Sequence, residues 1–530
     1  MSLPDRNNSY SFDAFLEWRA GCDYYADDPF LQSVVRHHAG SAYEHVDEEA
    51  RRFSKLASTR WRDLAEEAAR PANRPYVMHY DGYGRRIDRI VRPLQTEVLE
   101  REVFSQGFFA HRTNPWTRLL WTFLFSQNGE ACVVCPLACT EGLVALLSCF
   151  AETPELRSVL THLTEGRDGE YGIGAQYISE IHGGSDVQAN LVEAVSEEGR
   201  FRLYGTKFFC SATHADYALV TAKPCGSEEV GLFLVPSYLP DDAVRERRNG
   251  HTIDRIKEKL GTSELTTAEI TYDGALAWPV GPLDRGLANV VGMALTISRL
   301  NVGIAAAASM TRAVREARRY GEHREAFGQP IAHFPMVAGQ LARMERFSRR
   351  TVAGAFKLYG AYLGLAGGLR GGLASEEPLE ARRQRFLVRE LIMLQKIAAA
   401  LDATDVIRSA LSVFGGHGVM EDFSALPRLY RDAAVNELWE GPRNVLLTQI
   451  HRDLQRSREW FPPEEVVAAL LEGNEPVATS LGAELTELLR HPSLLARDDR
   501  TNEVCGQWDD YCQRLCHAWQ DVALSEVEAV

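Results

Sequence analysis

The sequence predicts a mainly α-helical protein with a β-domain set in its middle, and three observations carry that prediction. Apolar residues recur at helical spacing through roughly residues 1–170. From about residue 171 to 274 the period drops to two: Phe201 and Leu203 alternate with Arg202 and Tyr204. From about residue 285 the helical period returns, with Met293, Ile297, Leu300 and Ile304 four, three and four apart. The expected division is a helical N-terminal domain over 1–170, a β-domain over 171–280, a helical bundle over 281–457 and an acidic helical extension over 458–530.

Taken in order, residues 76–90 interrupt the first helices with short extended pieces around Asp81-Gly82, the pattern of a small hairpin. Cys132, Cys135 and Cys139 suggest a metal site, but no second ligand pair follows and their neighbours are apolar; they read as core cysteines on one helical face. In the middle region the runs 218–221, 231–235 and 266–272 read as strands. Alanines 305–308 let neighbouring helices pack closely, and the glycine-rich stretch 367–372 reads as a loop. The tail opens with Pro462-Pro463.

The chain has 530 residues, 45% hydrophobic and 25% charged, an ordinary globular balance with ample length for several domains. A net charge of −15 discourages binding to nucleic acid or acidic lipid. Residues 461–530 hold 14 Asp/Glu against 4 Lys/Arg, so the tail alone is near −10. The first ten residues lack the apolar run of a signal peptide, and the most apolar window, 131–150, contains Glu141 and reads as a buried helix. Ten cysteines in a chain this long suggest no disulfide framework, and a cytoplasmic location is expected.

The candidate chemistry concentrates in residues 426–444, LPRLYRDAAVNELWEGPRN. Glu440 follows Leu438 and Trp439 and precedes Gly441. An apolar wall raises a carboxyl pKa and improves the base. Glu440 is therefore a candidate general base facing a flat, hydrophobic ligand; the bland alternative is a capping or salt-bridged glutamate. Upstream, Gly415-Gly416-His417-Gly418 lets main chain approach a ligand, or only ends a helix. No Gly-x-Gly-x-x-Gly fingerprint and no His-Glu-x-x-His helix is present.

Four motifs stand in register. Ser179-Glu180-Ile181-His182-Gly183-Gly184-Ser185-Asp186 opens the β-domain, and Lys207-Phe208-Phe209-Cys210-Ser211 follows on a strand. His323-Arg324-Glu325-Ala326-Phe327-Gly328 comes next, then Phe414-Gly415-Gly416 leading to Tyr430-Arg431-Asp432 and Trp439-Glu440-Gly441. Over about residues 75–455 the chain resembles the acyl-CoA dehydrogenase family, within it the adaptive-response, AidB-type branch. The resemblance implies a helical domain, a barrel-like β-domain and a four-helix bundle assembled as a homotetramer around FAD. It places Gln176, Tyr177, Ile178 and Ser179 along the flavin, with Gly184 and Ser185 near the pyrophosphate. Phe209, Cys210 and Ser211 would flank the ring, the Ser211 hydroxyl facing N5. Arg324 and Phe327 would reach FAD across a subunit boundary, and Gly415 and Gly416 would touch its adenosine or pyrophosphate. Leu438, Trp439, Gly441 and Asn444 would border the cofactor, and Glu440 takes the position of the catalytic base.

The implied reaction is dehydrogenation of an acyl-CoA or related acyl compound. Glu440 removes the α-proton, and FAD accepts the β-hydride. Two departures stand out. Pro442-Arg443 replaces the usual hydroxyl residue after the glycine, and Ser298 precedes Arg299 where some members carry an alternative glutamate base. Arg299 and Arg443 are expected to bind substrate. The branch also suggests a DNA-associated protective role, which the acidic tail opposes. A third reading keeps the fold and uses oxygen, as in N-oxygenating or nitroalkane-oxidising relatives. No metal and no membrane are expected.

Overall fold

The computed structural model describes residues 11–529, apart from 198, 199, 241, 243, 244, 246, 366, 367 and 369–376. The expected loop at 367–372 thus lies outside the described residues except for Gly368.

The N-terminal part is built from α1 (Asp13–Gly21), α2 (Pro29–Ala39), α3 (Tyr43–Ala57), α4 (Arg60–Ala68), α5 (Leu94–Phe104), α6 (Pro115–Ser126), α7 (Val134–Phe150) and α8 (Pro154–Thr164). Local chemistry sets several of their starts. Asp28, Asn114 and Thr153 each accept a hydrogen bond from a backbone N–H in the first turn, and each is followed by proline at the first helical position. The hairpin forms as expected: β1 (Tyr76–Tyr80) and β2 (Arg86–Val91) pair antiparallel between α4 and α5. The cysteine expectation needs correction. Cys135 and Cys139 do share a face of α7, their sulfurs 3.9 Å apart. Cys132 instead precedes the helix in a left-handed turn, φ +59°, and is buried in the β-domain core.

The middle region contains β3 (Gly174–Tyr177), β4 (Glu193–Glu197), β5 (Arg200–Ser211), β6 (Tyr217–Pro224), β7 (Gly231–Pro236), β8 (His251–Ile256) and β9 (Thr267–Pro279). Strands β6, β4, β5, β9 and β7 follow one another around a ring that closes from β7 back to β6, with β3 added to β6 and β8 to β9. Closure pairs the backbone groups an open sheet would leave at its edges. Leu203, Cys210, Val220 and Phe233, all 0% exposed, fill the interior.

Short α9 (Gly286–Asn289) then runs through a π-helical turn into α10 (Leu295–His323). A two-residue hairpin, β10 (Glu325–Ala326) and β11 (Gln329–Pro330), leads to α11 (Pro335–Leu363), α12 (Leu379–Phe414), α13 (Leu426–Asn436) and α14 (Arg443–Ser457). Helices α10 and α12 pack along their length, because Ala306, Ala307, Ala399 and Ala403 present no bulk between them. The segment 283–323 is long and apolar enough to cross a membrane by length and composition, yet 78% of its most apolar window is buried, as befits the central helix of a bundle.

The extension is helical: α15 (Pro463–Leu470), α16 (Glu475–Leu488) and α17 (Asp499–Glu528). Helix α17 lies against α11 and α12, with Trp508, Tyr511 and Trp519 buried beneath it. Its polar face is tied down too: Gln520 donates to Gln395, and His517 pairs with Asp402 at 2.9 Å.

Candidate active site

The site begins where β3 runs out. Tyr177 and Ile178 point their side chains into the core, 3% and 8% exposed, so only their main chain can border a ligand. The following loop is pinned from beneath. Glu180 accepts hydrogen bonds from the Leu191 and Val192 amides and pairs with Lys207 at 2.7 Å. Lys207, 0% exposed, also donates to the Ile178 carbonyl and to Thr221. Burial pulls the Lys207 pKa down and Glu180 pulls it back up, so the pair is held by its partners rather than by water. The Phe208 amide donates to the Ser179 carbonyl, tying the loop to β5. A side chain at Gly183 would meet the Asp186 carbonyl at 2.9 Å, which makes this the glycine the turn requires. Gly184 and Ser185 are exposed on the same loop.

On β5 the alternation presents Phe209 outward, 52% exposed, and turns Cys210 into the core at 0%. The Cys210 side chain therefore cannot reach a cofactor. Lys257 lies over the Phe208 and Phe209 rings, 3.3 and 4.7 Å from their centroids. The Ser211 hydroxyl is 3.0 Å from Thr267 Oγ1, which accepts in turn from Lys259 Nζ at 2.9 Å. Neither lysine was legible in the sequence, because both arrive from the segment after β8.

Glu440 sits in the turn between α13 and α14, in left-handed backbone at φ +60°, followed by Gly441 at φ +102°. Left-handed glutamate is costly, of the order of 1 kcal/mol or more, and persists only where surroundings impose it. Here they do. Arg299 Nε donates to the Glu440 carbonyl at 2.8 Å, and Lys396 Nζ donates to the carbonyls of Glu437 and Gly441 at 3.1 and 2.8 Å. Trp439 packs against the barrel core beside Cys135, while Leu438 stands 64% exposed. Burial raises the Glu440 pKa, and the charges of Arg299 and Lys396 oppose the rise. The Cys135 thiol, bonded to Cys139 and buried, is held well above its usual value, with the Glu440 charge adding to the effect. The Glu440 carboxyl thus feels Cys135 of α7 and the two cations Arg299 and Lys396.

One expected substrate contact is corrected. Arg443 was expected to reach substrate from its place beside the glycine. Its Nε and Nη2 instead bind Asp509 and Gln513 of α17, each at 2.7 Å, and Nη1 reaches the Ile397 carbonyl. Arg299, 6% exposed, donates its Nε to the Glu440 turn. Asn444 is exposed on the first turn of α14.

A second group lies elsewhere. Arg324 and Phe327 occupy the far end of α10, where Phe327 is 98% exposed, and Gly415 and Gly416 lie exposed beside them through the Tyr320–His417 hydrogen bond at 2.9 Å. Twenty-five residues of helix separate Arg299 from Arg324, about 38 Å at 1.5 Å per residue. Within one chain this cluster cannot touch a ligand lying on Glu440.

The residues around Glu440 fit a flat cofactor with polar edges. Gln176 Oε1 and Trp439 Nε1 are buried without a hydrogen-bond partner, as is the hydroxyl of Ser298 beside Arg299. Phe209 and Ile181, 52% and 78% exposed, offer apolar surface above them. Among the described residues, Glu100, Cys132 and His214 come within metal-binding distance of one another. Arg92 binds both oxygens of that same Glu100 at 2.9 Å, so a fixed cation already occupies the charge a metal would need.

Comparisons with known proteins agree. Residues 175–275 match the acyl-CoA dehydrogenase middle domain, and 284–361 with 373–455 match its C-terminal domain. Residues 17–167 match the N-terminal domain of the adaptive response protein AidB. Acyl-CoA dehydrogenase family member 11 of Caenorhabditis elegans is 30% identical over 453 residues, 81% of this chain and 70% of that protein. The putative acyl-CoA dehydrogenase AidB of Escherichia coli K12 is 26% identical over 525 residues, 94% of this chain and 92% of that one. The structure of Caenorhabditis elegans ACDH-11 in complex with C11-CoA superposes with a TM-score of 0.78 at 25% identity, covering 96% of this chain and 91% of that one. The chain belongs to the acyl-CoA dehydrogenase family, has its fold, and is an FAD-dependent oxidoreductase of AidB-like type.

Proposed function

We propose that the protein dehydrogenates an acyl-CoA or a closely related acyl compound, with Glu440 as the base. The observation that carries this reading is the Glu440 turn: a half-buried carboxyl group next to Trp439 in the chain and within electrostatic reach of Cys135, in a strained backbone that two cations hold in place. The relative solved with C11-CoA supports the thioester class. FAD, when bound, supplies the hydride acceptor.

The chain's own residues supply the rest. Glu440 takes the α-proton of the substrate, and burial matches its basicity to that task. Gln176, the Ser179 loop, Phe209, Ser211 and the indole of Trp439 orient the ring. Ser211 and Thr267, backed by Lys259, present a polarised hydroxyl where negative charge develops. Leu438 and Phe209 keep water from the reacting carbon. Arg324, Phe327, Gly415 and Gly416 act on the cofactor of a second copy of the chain. The helix length of about 38 Å between Arg299, at the Glu440 turn, and Arg324 supports a homo-oligomer built through this end of α10.

Anaerobic mixing of the yellow protein with acyl-CoAs of graded chain length tests the reading. Bleaching of the flavin absorbance by some member of the series is the expected outcome. No bleaching at any length, with an oxygen-consuming reaction on another substrate, would favour the oxygen-using alternative. An anionic substrate of that alternative could not take Arg443 as its contact, because Arg443 is already bound to Asp509. Tight, salt-sensitive binding to duplex DNA would instead restore the protective reading, against the charge of the tail.

A further inference from the structure

Lys396 is 0% exposed on α12, and among the described residues its ammonium meets no carboxylate at hydrogen-bond distance. Its two bonds go to the carbonyls of Glu437 and Gly441, on either side of Glu440. The Glu437 carboxylate is turned away and accepts from Thr404 at 2.6 Å. The charged groups facing Lys396 are Glu440 and Glu437 from the turn and Arg299 from α10. Arg299 bonds the intervening carbonyl, that of Glu440 itself. Two helices thus send one cation each into a six-residue turn and hold three of its carbonyls. The arrangement fixes the left-handed backbone at Glu440 and leaves Lys396 with Glu440 as its nearest uncommitted counter-charge.

We propose that Lys396 is the positioning residue for the reaction: it holds the Glu440 turn through two main-chain carbonyls and sets the acidity of Glu440 through its charge. This rests on the reading of Glu440 as the base. Burial brings the pKa of Lys396 down to about 7, opposed by Glu440, so its charge changes near neutral pH. Below that point the ammonium lowers the Glu440 pKa against the rise that burial causes. Above it the amine still bonds the carbonyls, but the charge that favours carboxylate is gone.

The test compares holoenzyme variants Lys396→Met, Lys396→Gln and Lys396→Arg with the parent and with Glu440→Gln. FAD content and near-UV circular dichroism report folding. Two quantities are followed against pH: the rate of anaerobic flavin reduction, and the infrared carboxyl band that Glu440→Gln removes. In Lys396→Met and Lys396→Gln the acid limb of the rate and the midpoint of the band both move up by about one pH unit. Lys396→Arg keeps the parent's acid limb and loses the inflection near pH 7. A merely structural lysine would lower rates without separating the charged from the uncharged substitutions. Midpoints that stay within about 0.2 units of the parent's in both neutral variants overturn the proposal. If one neutral variant fails to fold, the other decides. Should Glu440→Gln reduce flavin at the parent's rate, the base reading falls alone, because the infrared midpoint still reports whether Lys396 governs Glu440.

Discussion

Two charged clusters hang on α10 about 20 Å apart, thirteen residues along the same helix, and they are built on opposite plans. Around Arg312, 1% exposed, every guanidinium nitrogen has a partner: Nε binds Glu316, Nη2 binds Glu66, and Nη1 binds the Gln127 carbonyl and Asn128. Around Arg299 the cations bind main chain, and none of the hydrogen bonds among the described residues ends on the Glu440 carboxylate. The first cluster joins α4 and α6 to the bundle, and its guanidinium has no nitrogen left to offer, although Glu316 Oε2 and Gln127 Nε2 beside it stay without a partner. The second holds an unspent acid in strained backbone, with unpartnered polar atoms close by. What separates the two is the central ion: the Arg312 guanidinium is bonded at every nitrogen, whereas the Glu440 carboxylate accepts no hydrogen bond among the described residues.

The comparison can be broken by substitution, and the largest effect belongs to Glu440. Glu440→Gln should lower the rate of flavin reduction about a thousandfold or more while FAD stays bound. Its melting temperature should stay close to the parent's, since no hydrogen bond among the described residues ends on the carboxyl that is replaced. Stopped-flow absorbance and calorimetry read both at once. The mirror experiment is Glu66→Gln, which should cost about 3 kcal/mol in stability and leave reduction per folded molecule unchanged.

Glu66 also has a pH signature. Burial opposes its ionisation, but Arg312 and Arg19 win and hold its pKa at about 2, below the ordinary 4.5. A depressed folded-state pKa contributes stability that is complete above about 4.5 and disappears as pH falls toward 2. The gap between parent and Glu66→Gln in denaturant titrations should therefore close over that window.

Smaller effects sharpen the contrast. Phe209→Ala removes exposed aromatic surface and should weaken FAD retention about tenfold, with little loss of melting temperature. Arg443→Ala should change reduction less than threefold and cost about 1 kcal/mol, because its partners are Asp509 and Gln513 on α17. A large loss of activity in Arg443→Ala would return this residue to the substrate.

Much of this was legible in the sequence, for reasons that differ by element. The hairpin at β1 and β2, the strands and the long helices follow from local period and turn residues. Glu440 was legible because its apolar neighbours, Leu438, Trp439 and Gly441, are adjacent in the chain. Lys396 and Arg299 were not assignable to that turn, because they come from helices about 40 and 140 residues upstream and meet it only on folding. The closure of the β-ring was hidden for the same reason. Arg443 shows the opposite error. Adjacency to Gly441 suggested the ligand side, but entry into α14 swings the side chain toward α17, and only the helix phase decides that. Cys132 was drawn onto a helix by its spacing, although the chain has not yet entered one at that point.

The left-handed backbone at residue 440 also bears on how such a chain can drift. Glycine there would release the strain, discard a desolvated acid and leave Lys396 and Arg299 their carbonyls to hold. The product would be a sturdy, coloured and silent protein, one codon step from the parent. A lineage on this scaffold therefore descends easily into pure binding or structural roles, and only continued selection for turnover keeps glutamate in a position that folding alone would surrender.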